Sequence, residues 1–187
     1  MTETAVTEAL GEWLSPSQAN TYLTCPAKWY FRYVIGLIEP ATGALALGKA
    51  FHQTLARSFR QKMSTGCDME NSELTAVFGE EWSLAISEAV LRDDEDATEL
   101  ALIGKMLVSA YLAEAAPSVR PQAVEQTVQG EIAGVKVRGI VDLLGVDGCV
   151  FDFKTASKAP QRSYGRARPA TDDICDDHSG CEWPLPA

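Results

Sequence analysis

No stretch of this chain is long and apolar enough to cross a membrane. Positive charge is also scarce: 16 Lys and Arg stand against 26 Asp and Glu, a net charge of −10. This excludes a nucleic-acid-binding surface spread over the whole protein, because such a surface would repel phosphate. It does not exclude a local acidic metal site with a basic rim, since a bound cation reverses the sign where phosphate arrives. Cysteines are few and irregularly spaced (Cys25, Cys67, Cys149, Cys175, Cys181), so they do not read as a disulfide framework. Met1 to Trp13 hold Glu3, Glu8 and Glu12 and no basic residue, unlike a secretory leader. A cytoplasmic protein is the expectation. No internal repeat is present.

What remains is ordinary globular material. The chain has 187 residues, 46% of them apolar and 22% charged, enough for one domain with its own core. Ser15-Pro16-Ser17-Gln18 reads as a helix start, with Ser15 as cap, Pro16 in the first turn and Gln18 closing a capping box. Cys25-Pro26 interrupts that helix, because proline disfavours helical geometry in the residue before it. A second helical stretch, Ala27 to Val34, carries Trp29, Tyr30, Phe31 and Tyr33, read as core packing in preference to base stacking. From Leu45 to Lys62, Leu47, Phe51, Leu55 and Phe59 recur every four residues as an apolar helical stripe. Gly48 and His52 form the adjacent row. Ser72 to Leu91 and Ala97 to Ala115 predict two more amphipathic helices. The acidic run Asp93 to Asp96 between them reads as a solvated connection or helix start.

After Pro117 the pattern turns to strands: Val124 to Glu131, Val135 to Leu144 and Cys149 to Thr155. Ala133-Gly134 and Asp147-Gly148 mark two hairpins. The expected fold class is therefore α/β, with N-terminal helices packed on a small antiparallel meander. From Ala156 onward only Ile174 and Leu185 are aliphatic residues larger than alanine, and four prolines intervene. Residues 156–187 are expected to be a disordered tail after a core at 14–155. Lys158, Arg162, Arg166 and Arg168 in that tail read as a solvated basic stretch.

The chemistry concentrates in Gly139-Ile140-Val141-Asp142 and Val150-Phe151-Asp152-Phe153-Lys154-Thr155. Asp152 and Lys154 are two apart on a strand and share a face. An acid-x-Lys pair alone arises about once by chance in a chain of this composition, so its context decides its meaning. Asp142 lies on the preceding strand of the same hairpin. A two-residue loop would pair Asp142 with Phe153 and put the two carboxylates on opposite faces. A three-residue loop, Val146-Asp147-Gly148, pairs Asp142 with Asp152 and puts Gly148 in the left-handed position. The three-residue form is expected. Two carboxylates on one face repel unless compensated, and Mg²⁺ or Mn²⁺ suits such oxygen ligands. The competing reading pairs Asp142 with Lys154 or Arg138 in a structural ion network.

Taken together these residues resemble the RecB-like branch of the PD-(D/E)XK nucleases. The likeness runs through Leu14-Ser15-Pro16-Ser17 with Cys25-Pro26, Gly48-x-x-x-His52, Val124-Glu125, Gly139-x-x-Asp142 and Asp152-Phe153-Lys154-Thr155. The resemblance implies a restriction-endonuclease-like core. It implies that His52, Asp142 and Asp152, with the Phe153 carbonyl, bind Mg²⁺ or Mn²⁺. Lys154 would activate or orient water and stabilise charge, and Glu125 matches a family acid. The implied reaction is in-line hydrolysis of DNA phosphodiesters, exonuclease-like and of repair or recombination type. The implied partners are DNA and a helicase or recombination protein, with no membrane.

The family continues beyond the lysine strand with a helix bearing Gln-x-x-x-Tyr and more sheet. Gln161-Arg162-Ser163-Tyr164 has the wrong spacing, so the C-terminal elements are expected to be missing, through truncation or a frame shift. Some family members hold an iron–sulfur cluster on one early and three late cysteines. Cys25 occupies the early position, but Cys175 and Cys181 supply only two late thiols, so no cluster is expected. A zinc site on Cys175, His178 and Cys181 is poorly spaced. The alternative function is a catalytically inactive remnant, or a DNA-binding accessory protein of the same fold.

Overall fold

The structure, a computed structural model, describes residues 11–155. The tail expected to be disordered, its basic stretch and Cys175, His178 and Cys181 lie outside the described residues. Helices and a three-stranded antiparallel sheet make up the fold, in the order and class that the patterning predicts. The chain forms two compact units. Among the described residues, one takes 11–39 and 126–141, the other 40–125 and 142–155.

In the first unit, α1 (Pro16–Thr24) starts as the sequence demands. Ser15 Oγ accepts from the Gln18 N–H, and Gln18 Oε1 accepts from the Ser15 N–H. The chain breaks at the extended Cys25, whose Sγ accepts from the Lys28 N–H and so caps the short α2 (Pro26–Trp29). A π-helical turn, Tyr30–Val34, follows. The four aromatics here do not all pack inward. Trp29 is buried between Tyr22 and Tyr33, while Phe31 is 51% exposed. Residues 29, 30, 31 and 33 step about 100° apart and cannot share one helix face. The same unit holds the far halves of β1 (Pro121–Ile132) and β2 (Val135–Gly145). Ala133 and Gly134 both have positive φ, which is the two-residue hairpin turn that matches strand twist.

The second unit holds the main core. Helix α3 (Gly43–Thr65) buries Leu47, Phe51, Leu55 and Phe59, the stripe that the four-residue spacing predicts. It packs against α4 (Asn71–Ser87) and α5 (Ala97–Glu114). Helix α4 stops at Ser87, earlier than its periodicity suggests, because Ala89 pairs with Ala41 and the Val90 N–H donates to Ala41 O. Each fully buried large apolar side chain stabilises by roughly 1.5–3 kcal/mol, and Phe59, Phe78, Leu55, Leu74 and Leu143 are all of this kind. Gly104 lets α5 lie close against Phe78: a Cβ there would sit 2.0 Å from Phe78 Cζ.

The acidic connection has a definite task. Asp96 caps α5 through the Thr98 and Glu99 N–H groups, each at 2.8 Å. Glu95 accepts from the Gly43 and Ala44 N–H groups, capping α3 from 52 and 51 residues away. It also accepts from the Arg92 N–H. The bonds from Arg92 and Ala44 hold its carboxyl below the usual range. The sheet order is β1-β2-β3, with β3 (Val150–Phe151) antiparallel to β2.

Candidate active site

The β2–β3 connection decides which side chains can meet. Leu143 faces Phe151 and Leu144 faces Val150. The Gly145 N–H donates to Cys149 O at 2.8 Å and the Gly148 N–H donates to Gly145 O at 3.0 Å. The loop is therefore Val146-Asp147-Gly148, with Gly148 at φ 77°, as the three-residue form requires. Asp142 and Asp152 fall at the next step of this register. The ladder, however, stops one residue short of them. The Phe153 N–H donates to Asp142 Oδ2 at 2.8 Å, so the side chain takes a bond that the backbone ladder would otherwise use. Strand β3 is accordingly shorter than the Cys149 to Thr155 span expected from composition.

Helix α3 supplies the opposite wall. His52 stands one turn after Gly48, and its Nδ1 lies 3.4 Å from Asp142 Oδ2, an ion pair whenever the imidazole is protonated. Both side chains are partly exposed, at 29% and 23%. The His52 ring meets Phe51 and Phe153 edge-on. Phe153 in turn stacks on Phe59 at 6.1 Å and meets Tyr111 edge-on at 5.4 Å. This aromatic group anchors the segment carrying Asp152 and Lys154 to the core. Gly48 has its own reason: a Cβ there would lie 3.2 Å from Thr155 Oγ1, so glycine lets the segment after Lys154 approach the helix.

The four expected metal donors are not gathered into one cage. His52 and Asp142 are together, but the Asp152 carboxylate bonds Lys154 Nζ at 2.9 Å, well out in solvent. Among the described residues, no three His, Cys, Asp or Glu side chains converge as a metal site. Each carboxylate has its own donor, Asp142 the Phe153 N–H and Asp152 the Lys154 ammonium. The ion network pairing Asp142 with Lys154 or Arg138 is not formed either: Lys154 is on Asp152, and Arg138 lies over the Trp13 ring at 5.8 Å.

Glu125 is held elsewhere on α3. Its carboxylate accepts from Gln53 Nε2 at 2.8 Å and from the Arg60 guanidinium. Gln53 and Arg60 are seven apart, two turns along one face. Glu125 also has φ 51°, a left-handed conformation unusual for a side chain inside a strand. Neither Gln53 nor Arg60 was a sequence candidate. A helical-wheel reading beside His52 could have raised Gln53, but nothing local pointed to Arg60. Cys25 is an exposed helix cap. Lys49, which also escaped the sequence reading, borders the groove beside His52.

Residues 13–170 match the family model of the PD-(D/E)XK nuclease superfamily. This covers most of the 187 residues, and the chain belongs to that superfamily. Its members are nucleases, and they generally work with divalent metal ions. No curated protein and no solved structure matches the chain. Among the described residues, no helix is long and apolar enough to cross a membrane.

Proposed function

We propose that this chain is a RecB-like, Mg²⁺- or Mn²⁺-dependent deoxyribonuclease of exonuclease type, acting in DNA repair or recombination. The observation that carries this reading is the His52–Asp142 pair, with Asp152 at the next register step and Lys154 paired with Asp152. Asp142 stands for the first acid of the family's signature, and Asp152-Phe153-Lys154 for its acid-x-lysine.

The donor chemistry fits a hard divalent cation: one imidazole and two carboxylates, at least one of them partly solvent-open. His52, Asp142 and Asp152 would hold the ion, with the Phe153 carbonyl as a further donor. A bound divalent ion supplies Lewis acidity and charge neutralisation at the phosphate. The rest falls to the chain. Asp142 Oδ2 accepts from the Phe153 N–H and also lies beside His52 Nδ1, so the backbone donor holds this carboxylate against the imidazole. The Lys154 side chain is 75% exposed, so its ammonium is free to swing from Asp152 to a phosphate oxygen or a water. The aromatic anchor keeps these groups within reach of His52. Glu125, which matches an acid of the family, is held by Gln53 and Arg60 on α3. A helicase or recombination protein is the partner this activity would serve.

The test is cleavage of labelled linear single- and double-stranded DNA with Mg²⁺, Mn²⁺ or chelator, beside Asp152→Ala, Lys154→Ala and His52→Ala. Metal-dependent cutting that Asp152→Ala and Lys154→Ala abolish supports the nuclease. A well-folded protein that cuts nothing would refute it in favour of an inactive or DNA-binding relative of the same fold.

A further inference from the structure

A groove of ≈ 420 Å³ runs along the first turns of α3 and ends at His52. Gly48 leaves its wall open, Thr155 presents a hydroxyl 3.2 Å from where a Gly48 Cβ would be, and Lys49 and Lys154 border it. The nuclease reading uses His52 and Lys154 but leaves Lys49 without a role. We propose that this groove seats a backbone phosphate of the DNA strand next to the one being cut, with Lys49 as its ligand. The inference rests on the nuclease reading.

Three features support it. A chain of net charge −10 needs cations placed locally to hold a polyanion. Lys49 is such a cation, and it stands three residues before His52, on the same side of α3. Both lysine side chains are exposed, at 56% for Lys49 and 75% for Lys154, and each rests on a single carboxylate. Lys49 Nζ lies 2.8 Å from Glu88 Oε2. An exposed pair of this kind is weak, so a phosphate can displace Glu88 at small cost. The hydrogen bond and charge of Lys49 keep the Glu88 carboxyl below its ordinary range, so Glu88 stays an anionic competitor at any neutral assay pH. Gly48 serves twice here, admitting Thr155 and keeping the groove clear of a side chain.

The experiment measures binding of a labelled single-stranded oligonucleotide by anisotropy in chelator, across a salt titration. It compares the wild type with Lys49→Ala, Lys49→Arg and Glu88→Gln, and adds steady-state cleavage with Mg²⁺. One lost phosphate contact on a single strand lowers the slope of log K against log salt by about 0.7. Lys49→Ala should show that loss and raise KM with kcat retained. Lys49→Arg should restore the slope, and Glu88→Gln should tighten binding. A Lys49→Ala slope equal to wild type in a protein that still cuts DNA overturns the phosphate seat and leaves the nuclease standing. A folded wild type that neither binds nor cuts DNA overturns both. Coincident thermal melts for wild type and Lys49→Ala separate these results from misfolding.

Discussion

Phe153 offers a way to tell a residue that positions the site from one that only stabilises the fold. Its ring is half-buried, stacked on Phe59 and edge-on to Tyr111 and His52. Removing a fully buried Phe side chain costs about 3–5 kcal/mol. Half burial scales this down to about 1.5–2.5 kcal/mol, a figure that already contains the lost aromatic contacts. Phe153→Ala should therefore destabilise by about 1.5–2.5 kcal/mol, lowering the melting temperature by about 3–10 °C in a chain of this size. Gly104→Ala is the control. The new methyl would meet Phe78 Cζ at 2.0 Å and Leu47 Cδ1 at 2.8 Å, and Phe78 is fully buried against Trp82. Overpacking costs about 1–3 kcal/mol, and the gain of Ala over Gly in a helix returns about 1 kcal/mol. The two variants should thus lie within about 2–3 kcal/mol of each other in urea denaturation. They should differ in catalysis: well below the melting transition, Gly104→Ala should keep wild-type kcat while Phe153→Ala loses it. An unchanged kcat in Phe153→Ala would refute the view that this ring positions Asp152 and Lys154. An unchanged denaturation midpoint would refute the packing argument itself.

Two further outcomes follow from local features. Gly148 has φ 77° and open space around a would-be Cβ, so Gly148→Ala should cost about 1–2 kcal/mol from backbone strain alone; a midpoint at or above wild type would argue against the three-residue loop. Burial, and secondarily Asp68, push the Tyr111 hydroxyl well above its ordinary value. The unfolded chain then loses its proton near pH 10 while the folded chain keeps it, so stability should fall as pH rises past about 10. Tyr111→Phe should flatten that alkaline limb in denaturation across pH, and an identical limb would exclude Tyr111 as its source.

Much was legible in the linear chain because it is set by nearest-neighbour chemistry. The capping box at Ser15, the break at Cys25-Pro26, the four-residue stripe of α3 and the turn at Ala133-Gly134 each depend on a few adjacent residues. The loop at Val146 to Gly148 was legible for the same reason, and through it the register that brings Asp142 and Asp152 to facing steps. Strand periodicity predicts that Asp152 and Lys154 share a face; β3 ends at Phe151, and the two are joined instead by the Lys154 Nζ to Asp152 Oδ1 bond. Other features were fixed only by the fold, since they join residues far apart in sequence. Nothing near His52 could show that Asp142, 90 positions on, lies 3.4 Å away. Likewise Glu95 capping α3, Arg60 and Gln53 holding Glu125, and Thr155 closing on Gly48 are long-range encounters. The early end of β3 belongs with these. Composition favoured a strand through Thr155, but a side-chain carboxylate competed with the ladder for one N–H, and that competition exists only once the hairpin has closed. The sequence by itself thus determined which residue types could do this chemistry and in what local conformation. The tertiary structure decided which of them meet, because burial, ion pairing and hydrogen-bond competition act across space and not along the chain.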